Sequence, residues 1–380
     1  MTAERTYLDW NATAPLLPEA RAAIERALDV QGNPSSVHAE GRRARAVVET
    51  AREQVAALIG ARPSEIVFTS GATEACATVL AAPWSAILIA GIEHDAVLRP
   101  AEAATGQRVA LAVGADGRVD LAEVGDKARS AVTEYGAGNI LAALQIANNE
   151  TGVLQPVAEV ATAARDAGAL VFTDAAQAAG RIPVDFAAIG ADFMALSAHK
   201  LGGPKGIGAL VVREGRELAP LIRSGGQERR RRGGTENIPG IAGFGAAADV
   251  ARKTVAEHAR IAALRDRLEA SLLDTTPEAR IVGAGTARLP NTTSIALPGH
   301  AAETLVIRFD LAGIAVSAGA ACSAGKIGAS HVLMAMGLDE TTARSAIRIS
   351  IGPTTTNHDI DRCVAAWREI AAHPRARTAA

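Results

Sequence analysis

Residues 157–200 read VAEVATAARDAGALVFTDAAQAAGRIPVDFAAIGADFMALSAHK, and the pattern within them decides the fold. Residues 157–167 carry apolar side chains at helical spacing, while 170–173 and 193–197 are short apolar runs of strand type. Strand-type runs also occur on either side, at 66–69, 87–90, 109–113, 140–146 and 207–212, with helical stretches between many of them. This alternation predicts an α/β architecture, a mostly parallel sheet with helices on both faces.

The chain before these runs is helical. One helix opens at Pro18, with Ala20, Ala23, Ile24, Ala27 and Leu28 on one face and Gly32 as its stop; another covers 37–59 and ends at Gly60. Beyond residue 239 the rhythm changes. Residues 239–274 read as one long helix or two joined ones, followed by strands at 293–297, 314–316 and 346–350, a helix near 301–312 and a closing helix from about 357. We therefore expect a large domain over 15–255 and a smaller α+β domain formed by 1–14 and 256–380, with the first residues packed near the site.

The chain has 380 residues, 48% apolar and 21% charged, which suits two unequal globular domains and excludes a disordered or collagen-like polymer. A net charge of −2 gives no reason to expect nucleic acid or an anionic membrane as main partner. The opening MTAERTYLDW has no apolar core of leader-peptide length, and no apolar stretch nears the roughly 20 residues that cross a bilayer. Cys76, Cys322 and Cys363 are odd in number and lack paired spacing, which fits free thiols and a cytoplasmic location. No Cys/His spacing suggests a metal site. Gly319 to Lys326 has one residue too many for a phosphate-binding P-loop, and 282–285 lacks the third glycine of a dinucleotide fingerprint.

In open α/β sheets ligands sit beyond the carboxyl ends of strands. There the sequence places Ser70-Gly71-Ala72-Thr73-Glu74, whose small residues at a helix start suit an anion such as phosphate, although plain helix capping uses the same residues. Asp174 follows residues 170–173; it is either a helix cap or the anion that a pyridoxal-5′-phosphate (PLP) ring needs beside its pyridine nitrogen. Ser197-Ala198-His199-Lys200 follows 193–196, and Lys200 is suited to a Schiff base with an aldehyde cofactor. Its layout relative to Asp174 sets it apart from a surface lysine. His94 could stack on a ring and relay protons or be a satisfied core histidine. Asn148 and Asn149 could hold a carboxylate or ring oxygen or form an ordinary turn. Cys322 lies in Ser317-Ala318-Gly319-Ala320-Ala321-Cys322-Ser323-Ala324-Gly325, where small neighbours favour a reactive thiol over a buried one. Arg348 interrupts an apolar strand; facing the site, it would hold an α-carboxylate. The run Arg229–Arg232 reads as a solvated face, or as part of a segment reaching a phosphate through Gly233-Gly234-Thr235.

In this order the residues resemble the cysteine desulfurases of aminotransferase class V, NifS/IscS-like PLP enzymes. The likeness runs from Tyr7-Leu8-Asp9 to about Asp361 through GNPSSVH, TSGATEA, EHDAVL, NNETGVLQP, TDAAQAAGRIPVD, SAHKLGGPKGIGAL, GGQER…GGTEN, SAGAACSAG, SHVLMAMG and RISIGPTT. It implies the PLP-dependent transferase fold type I and a homodimer. It makes Lys200 the Schiff-base lysine, Asp174 the partner of the pyridine nitrogen, Gln177 a contact of the ring hydroxyl and His94 the stacking group. Ala72, Thr73, Ser197 and His199 would bind the phosphate, with Thr235 reaching it from the second subunit. Asn149 and Arg348 would orient the carboxylate of L-cysteine, and Cys322 would take the sulfur for an acceptor protein serving iron–sulfur cluster assembly or tRNA or cofactor thiolation. Another enzyme of the same fold, such as a selenocysteine lyase or a class V aminotransferase, would share Lys200 and Asp174 without needing Cys322. The chain departs from the family pattern at Trp10, Cys76-Ala77, Arg230-Arg231, Ala320-Ala321 and Lys326-Ile327-Gly328-Ala329.

Overall fold

The computed structural model describes residues 5–255, 258–319 and 328–372. Its strands are β1 (Thr6–Tyr7), β2 (Ile66–Thr69), β3 (Ala86–Ala90), β4 (Gln107–Leu111), β5 (Ile140–Ala143), β6 (Leu170–Asp174), β7 (Phe193–Ser197), β8 (Gly208–Val212), β9 (Arg280–Ile281), β10 (Thr292–Ala296), β11 (Ile314–Ala315), β12 (Ser317–Ala318) and β13 (Ala346–Ser350). Seven of them form the central sheet in the order β2-β8-β7-β6-β5-β3-β4. Every neighbouring pair is parallel except the two that involve β8, which runs against β2 and β7. The carboxyl ends of β2, β3, β5, β6 and β7 therefore share one edge of the sheet.

Both faces of this sheet are dry except along the edge strand β4, as the continuous apolar runs of the other strands require. In β3, Ala86, Leu88 and Ala90 point into a core shared with helices Ala39–Leu58, Leu121–Tyr135, Val157–Asp166 and Ile238–Thr254. The alternate residues Ile87 and Ile89 pack on the other face with helices Ala72–Leu80 and Asp95–Ala103. The stretch expected as one long helix or two is two, Ile238–Thr254 and His258–Thr275.

A separate antiparallel sheet, β12-β13-β10-β9, packs on helices His258–Thr275, Ala302–Leu311 and Asn357–Ala372 around Phe309 and Trp367. Leu8 belongs to this second core, and β1 pairs with β11. The chain then crosses at residues 9–13 to the edge of the large sheet. Asn11 is the crossing point: its backbone N–H donates to Ser350 Oγ (2.9 Å) and its side-chain amide to Thr292 Oγ1 (2.9 Å) and the Asn149 carbonyl (3.3 Å). Trp10 lies flat on Gly352, where a Cβ would stand 2.0 Å from its ring. Among the described residues no helix is long and apolar enough to cross a membrane.

Candidate active site

The shared strand ends open into a cleft of about 570 Å³. Ala72, Thr73, His94, Asn149, Asp174, Gln177, Ser197, His199 and Lys200 all line it, although they come from five separate segments of the chain. Thr235 is exposed and does not line it. Cys322 lies outside the described residues.

Asp174 ends β6, and its Oδ1 accepts the Ala176 N–H at 2.8 Å. Burial raises its pKa, opposed by that N–H and by the positive field of the Lys200 ammonium. His94 caps the helix Asp95–Ala103, its Nδ1 accepting from the Ala96 N–H at 3.0 Å. A nitrogen that accepts carries no proton, so the imidazole is the neutral Nε2–H tautomer. Burial, which lowers its pKa, agrees with that state. His199 lies near Thr13, with Nδ1 3.1 Å from its hydroxyl. Burial and the nearby Lys200, Lys205 and Arg181 push its pKa down to about 4.

Lys200 closes the turn after β7, and its Nζ donates to the carbonyls of Asn11 (2.6 Å) and Ala12 (3.0 Å). This hold by the N-terminal crossing could not be read from the motifs, because backbone carbonyls carry no sequence signature. At the other end of the cleft the helix Ala72–Leu80 begins with no side-chain cap. Gly208 makes room for this start: a Cβ there would lie 2.7 Å from the Gly71 Cα. The resulting helix end, with its positive dipole and small residues, presents N–H groups to the cleft.

Arg348 is placed differently from the cleft-lining set. It is buried behind the wall, with Nη1 donating to the Asn149 carbonyl (3.0 Å) and Nη2 paired with Asp9 (2.8 Å), while Nε has no partner. It thus touches the residue expected to share its task, but its charge is engaged by Asp9. Glu150, two residues past Asn148, accepts from Ser330 Oγ at 2.5 Å and ties the Asn-Asn-Glu-Thr turn to the helix His331–Ala335. Cys76 is fully buried in the core under the sheet, and burial pushes its thiol pKa well up, so it has the character of a structural cysteine. No group of three or more potential metal ligands occurs among the described residues.

An ammonium, a buried carboxylate and an open helix start around one cleft are a donor set that fits PLP: an amine for the aldehyde, an anion for the ring nitrogen and N–H groups for the phosphate. The aminotransferase class-V family model matches residues 6–363, and the chain belongs to that family. Within it the chain belongs with the cysteine desulfurases. It is 44% identical over 373 residues to a cysteine desulfurase of Cereibacter sphaeroides, covering 94% of each chain. It is 41% identical over 386 residues to one of Enterobacter agglomerans, covering 98% of this chain and 94% of that one. Among solved structures, a NifS-like protein from Rickettsia africae superposes with a TM-score of 0.88 at 36% identity, covering 97% and 99% of the two chains. SspA in complex with cysteine superposes at 0.77 with 30% identity, covering 92% and 100%.

Proposed function

We propose that this protein is a PLP-dependent cysteine desulfurase that converts L-cysteine to L-alanine and leaves the sulfur as a persulfide on Cys322. The observation that carries the reading is the cleft itself, which gathers Lys200, Asp174, His94 and the uncapped helix start from distant parts of the chain. Lys200 would hold the cofactor, Asp174 its ring nitrogen, Gln177 its ring oxygen, and Ala72, Thr73, Ser197 and His199 its phosphate. When bound, PLP supplies an electron sink for the substrate's α-carbon.

The chain's own groups divide the remaining work. The Lys200 amine takes and returns the Cα proton. His94, neutral and with its proton on Nε2, stacks on the ring and donates without adding charge. Asn149 orients the substrate carboxylate, and Arg348 completes that hold once it exchanges Asp9 for the substrate. The Cys322 thiolate attacks the substrate sulfur: a sulfur–sulfur bond forms, the Cβ–S bond breaks, and its electron pair stays with Cβ, which is protonated to give alanine. The persulfide then passes to an acceptor protein of iron–sulfur cluster assembly or of tRNA or cofactor thiolation.

The exposed position of Thr235 supports a homodimer in which it reaches the partner's phosphate site. The separate core containing Leu8 and Trp367 supports a small domain of 1–14 and 256–380 against a large one of 15–255; the free thiols of Cys76 and Cys363 are the support for a cytoplasmic setting. The test is to supply L-cysteine with a thiol reductant and count alanine and sulfide. Equal amounts are expected from the parent and none from Cys322→Ser; turnover retained without Cys322 would refute the persulfide step.

A further inference from the structure

Directly behind the cleft lies a buried cation that the motif reading gave no task. Arg181 is 8% exposed. Its hydrogen bonds all go to neutral oxygens: the carbonyls of Gln177 (3.0 Å), Trp10 (3.2 Å) and Lys200 (3.2 Å), and Gln177 Oε1. Holding a guanidinium out of water against neutral acceptors alone is costly. Burial and the field of Arg348 push its pKa down to about 9, which still leaves it charged at neutral pH.

The contact with Gln177 determines an orientation. A guanidinium only donates, so the amide atom it meets is oxygen, and the NH₂ group is turned to the other side. There Nε2 donates to the Asn11 carbonyl at 3.1 Å, the same oxygen that receives Lys200 Nζ at 2.6 Å, and its second hydrogen remains for the cleft that Gln177 lines.

We propose that Arg181 is a positioning residue: it locks the Gln177 amide with its donor side toward the cleft and clamps the Lys200 backbone, so that an anionic oxygen bound beside Lys200 meets a donor. The inference rests on the cleft being the PLP site, where the ring oxygen is that anion. Without the clamp the amide is free to turn its oxygen to the anion, and the nearby positive charge is gone. Both changes favour the state in which the nitrogen joining Lys200 to the cofactor keeps its proton. Asp174, His94, His199, His258, Lys205, Arg260 and Arg348 also face this region and stay the same in every variant compared.

The experiment titrates the visible absorbance of the PLP-loaded protein against pH in the parent, Arg181→Met, Arg181→Lys, Gln177→Leu and the double variant Arg181→Met/Gln177→Leu. Urea unfolding of each variant without cofactor checks that it folds. Arg181→Met should raise the absorbance midpoint by about one pH unit. Arg181→Lys keeps the charge but lacks the fork, and should move the midpoint the same way by a smaller amount. With Gln177 already Leu, the Met substitution should add less than about half its single shift, since the two residues act as one unit. An unchanged midpoint in Arg181→Met, or full additivity with Gln177→Leu, overturns the proposal. If the Met variant does not fold, the Lys variant decides: a midpoint equal to the parent's overturns it and a raised one supports it. A parent that develops no PLP absorbance would refute the site reading instead, so the two failures are distinct.

Discussion

Two buried arginines show how differently one fold can use the same side chain. Arg52 is 4% exposed and grips Glu228 through two nitrogens, at 2.8 and 2.9 Å, while donating to the Ile66 carbonyl at 2.8 Å and lying over the Phe68 ring at 4.9 Å. Burial alone would lower its pKa, but the hydrogen bonds and charge of Glu228 outweigh that and raise it. Glu228 also accepts the Phe68 N–H at 2.8 Å, so the pair fastens a loop to β2. That loop is strained: Glu228, Arg229 and Arg230 have φ of 45°, 55° and 66°. Arg181, by contrast, meets only neutral oxygens, and they belong to residues of or beside the cleft. A charge matched by a countercharge holds backbone in place; a charge spread over neutral acceptors aims the groups around it.

The largest effect that would break this contrast is on stability. Arg52→Ala leaves Glu228 buried and uncompensated and should cost about 3–5 kcal/mol in urea unfolding. For Arg181→Met the relief of desolvation offsets the lost hydrogen bonds, and the change should stay within about 2 kcal/mol. If the two substitutions destabilise equally, the distinction fails.

A pH experiment sharpens the picture of the cleft. His94 and His199 have folded pKa values below the ordinary imidazole value, His199 down to about 4. Below about pH 6.5 the unfolded chain takes up protons that these folded imidazoles refuse, for His199 down to about pH 4, so their contribution to stability is complete above about 6.5 and is lost as the pH falls. His199→Gln should flatten the loss of stability between pH 7 and pH 5, as measured by urea unfolding; an unaltered slope would count against a desolvated His199.

The smallest effect concerns the strained loop. Arg230→Gly should stabilise by about 0.5–1 kcal/mol, because glycine adopts φ of 66° without a Cβ penalty. Destabilisation would show that the Arg230 side chain contributes more than its backbone costs.

The strands were legible because burial on both faces leaves continuous apolar runs: β2 and β7 fall where the pattern put them, and β6 differs by one residue. Asp174, His94 and Lys200 were legible because each follows such a run directly, and strand ends on one edge must meet. The direction of β8 was not, since Gly208–Val212 is equally apolar whichever way it runs. Glu228 sits in a charged run that looks like a solvated face; only the distant Arg52 makes it a buried anchor. Arg181 was hidden because three of its four contacts, with Gln177, Lys200 and the distant Trp10, are to backbone carbonyls. Polar contacts made across long sequence separations to backbone atoms leave no pattern to read.

The central claim, that Lys200 carries the cofactor, is tested most directly by reducing the PLP-loaded protein with borohydride, digesting it and locating the pyridoxyl group by mass spectrometry. The account predicts a single modified lysine, Lys200, with Lys205 in the same cleft untouched. A label on Lys205, or a protein that binds PLP yet yields no pyridoxyl-lysine at Lys200, would contradict it.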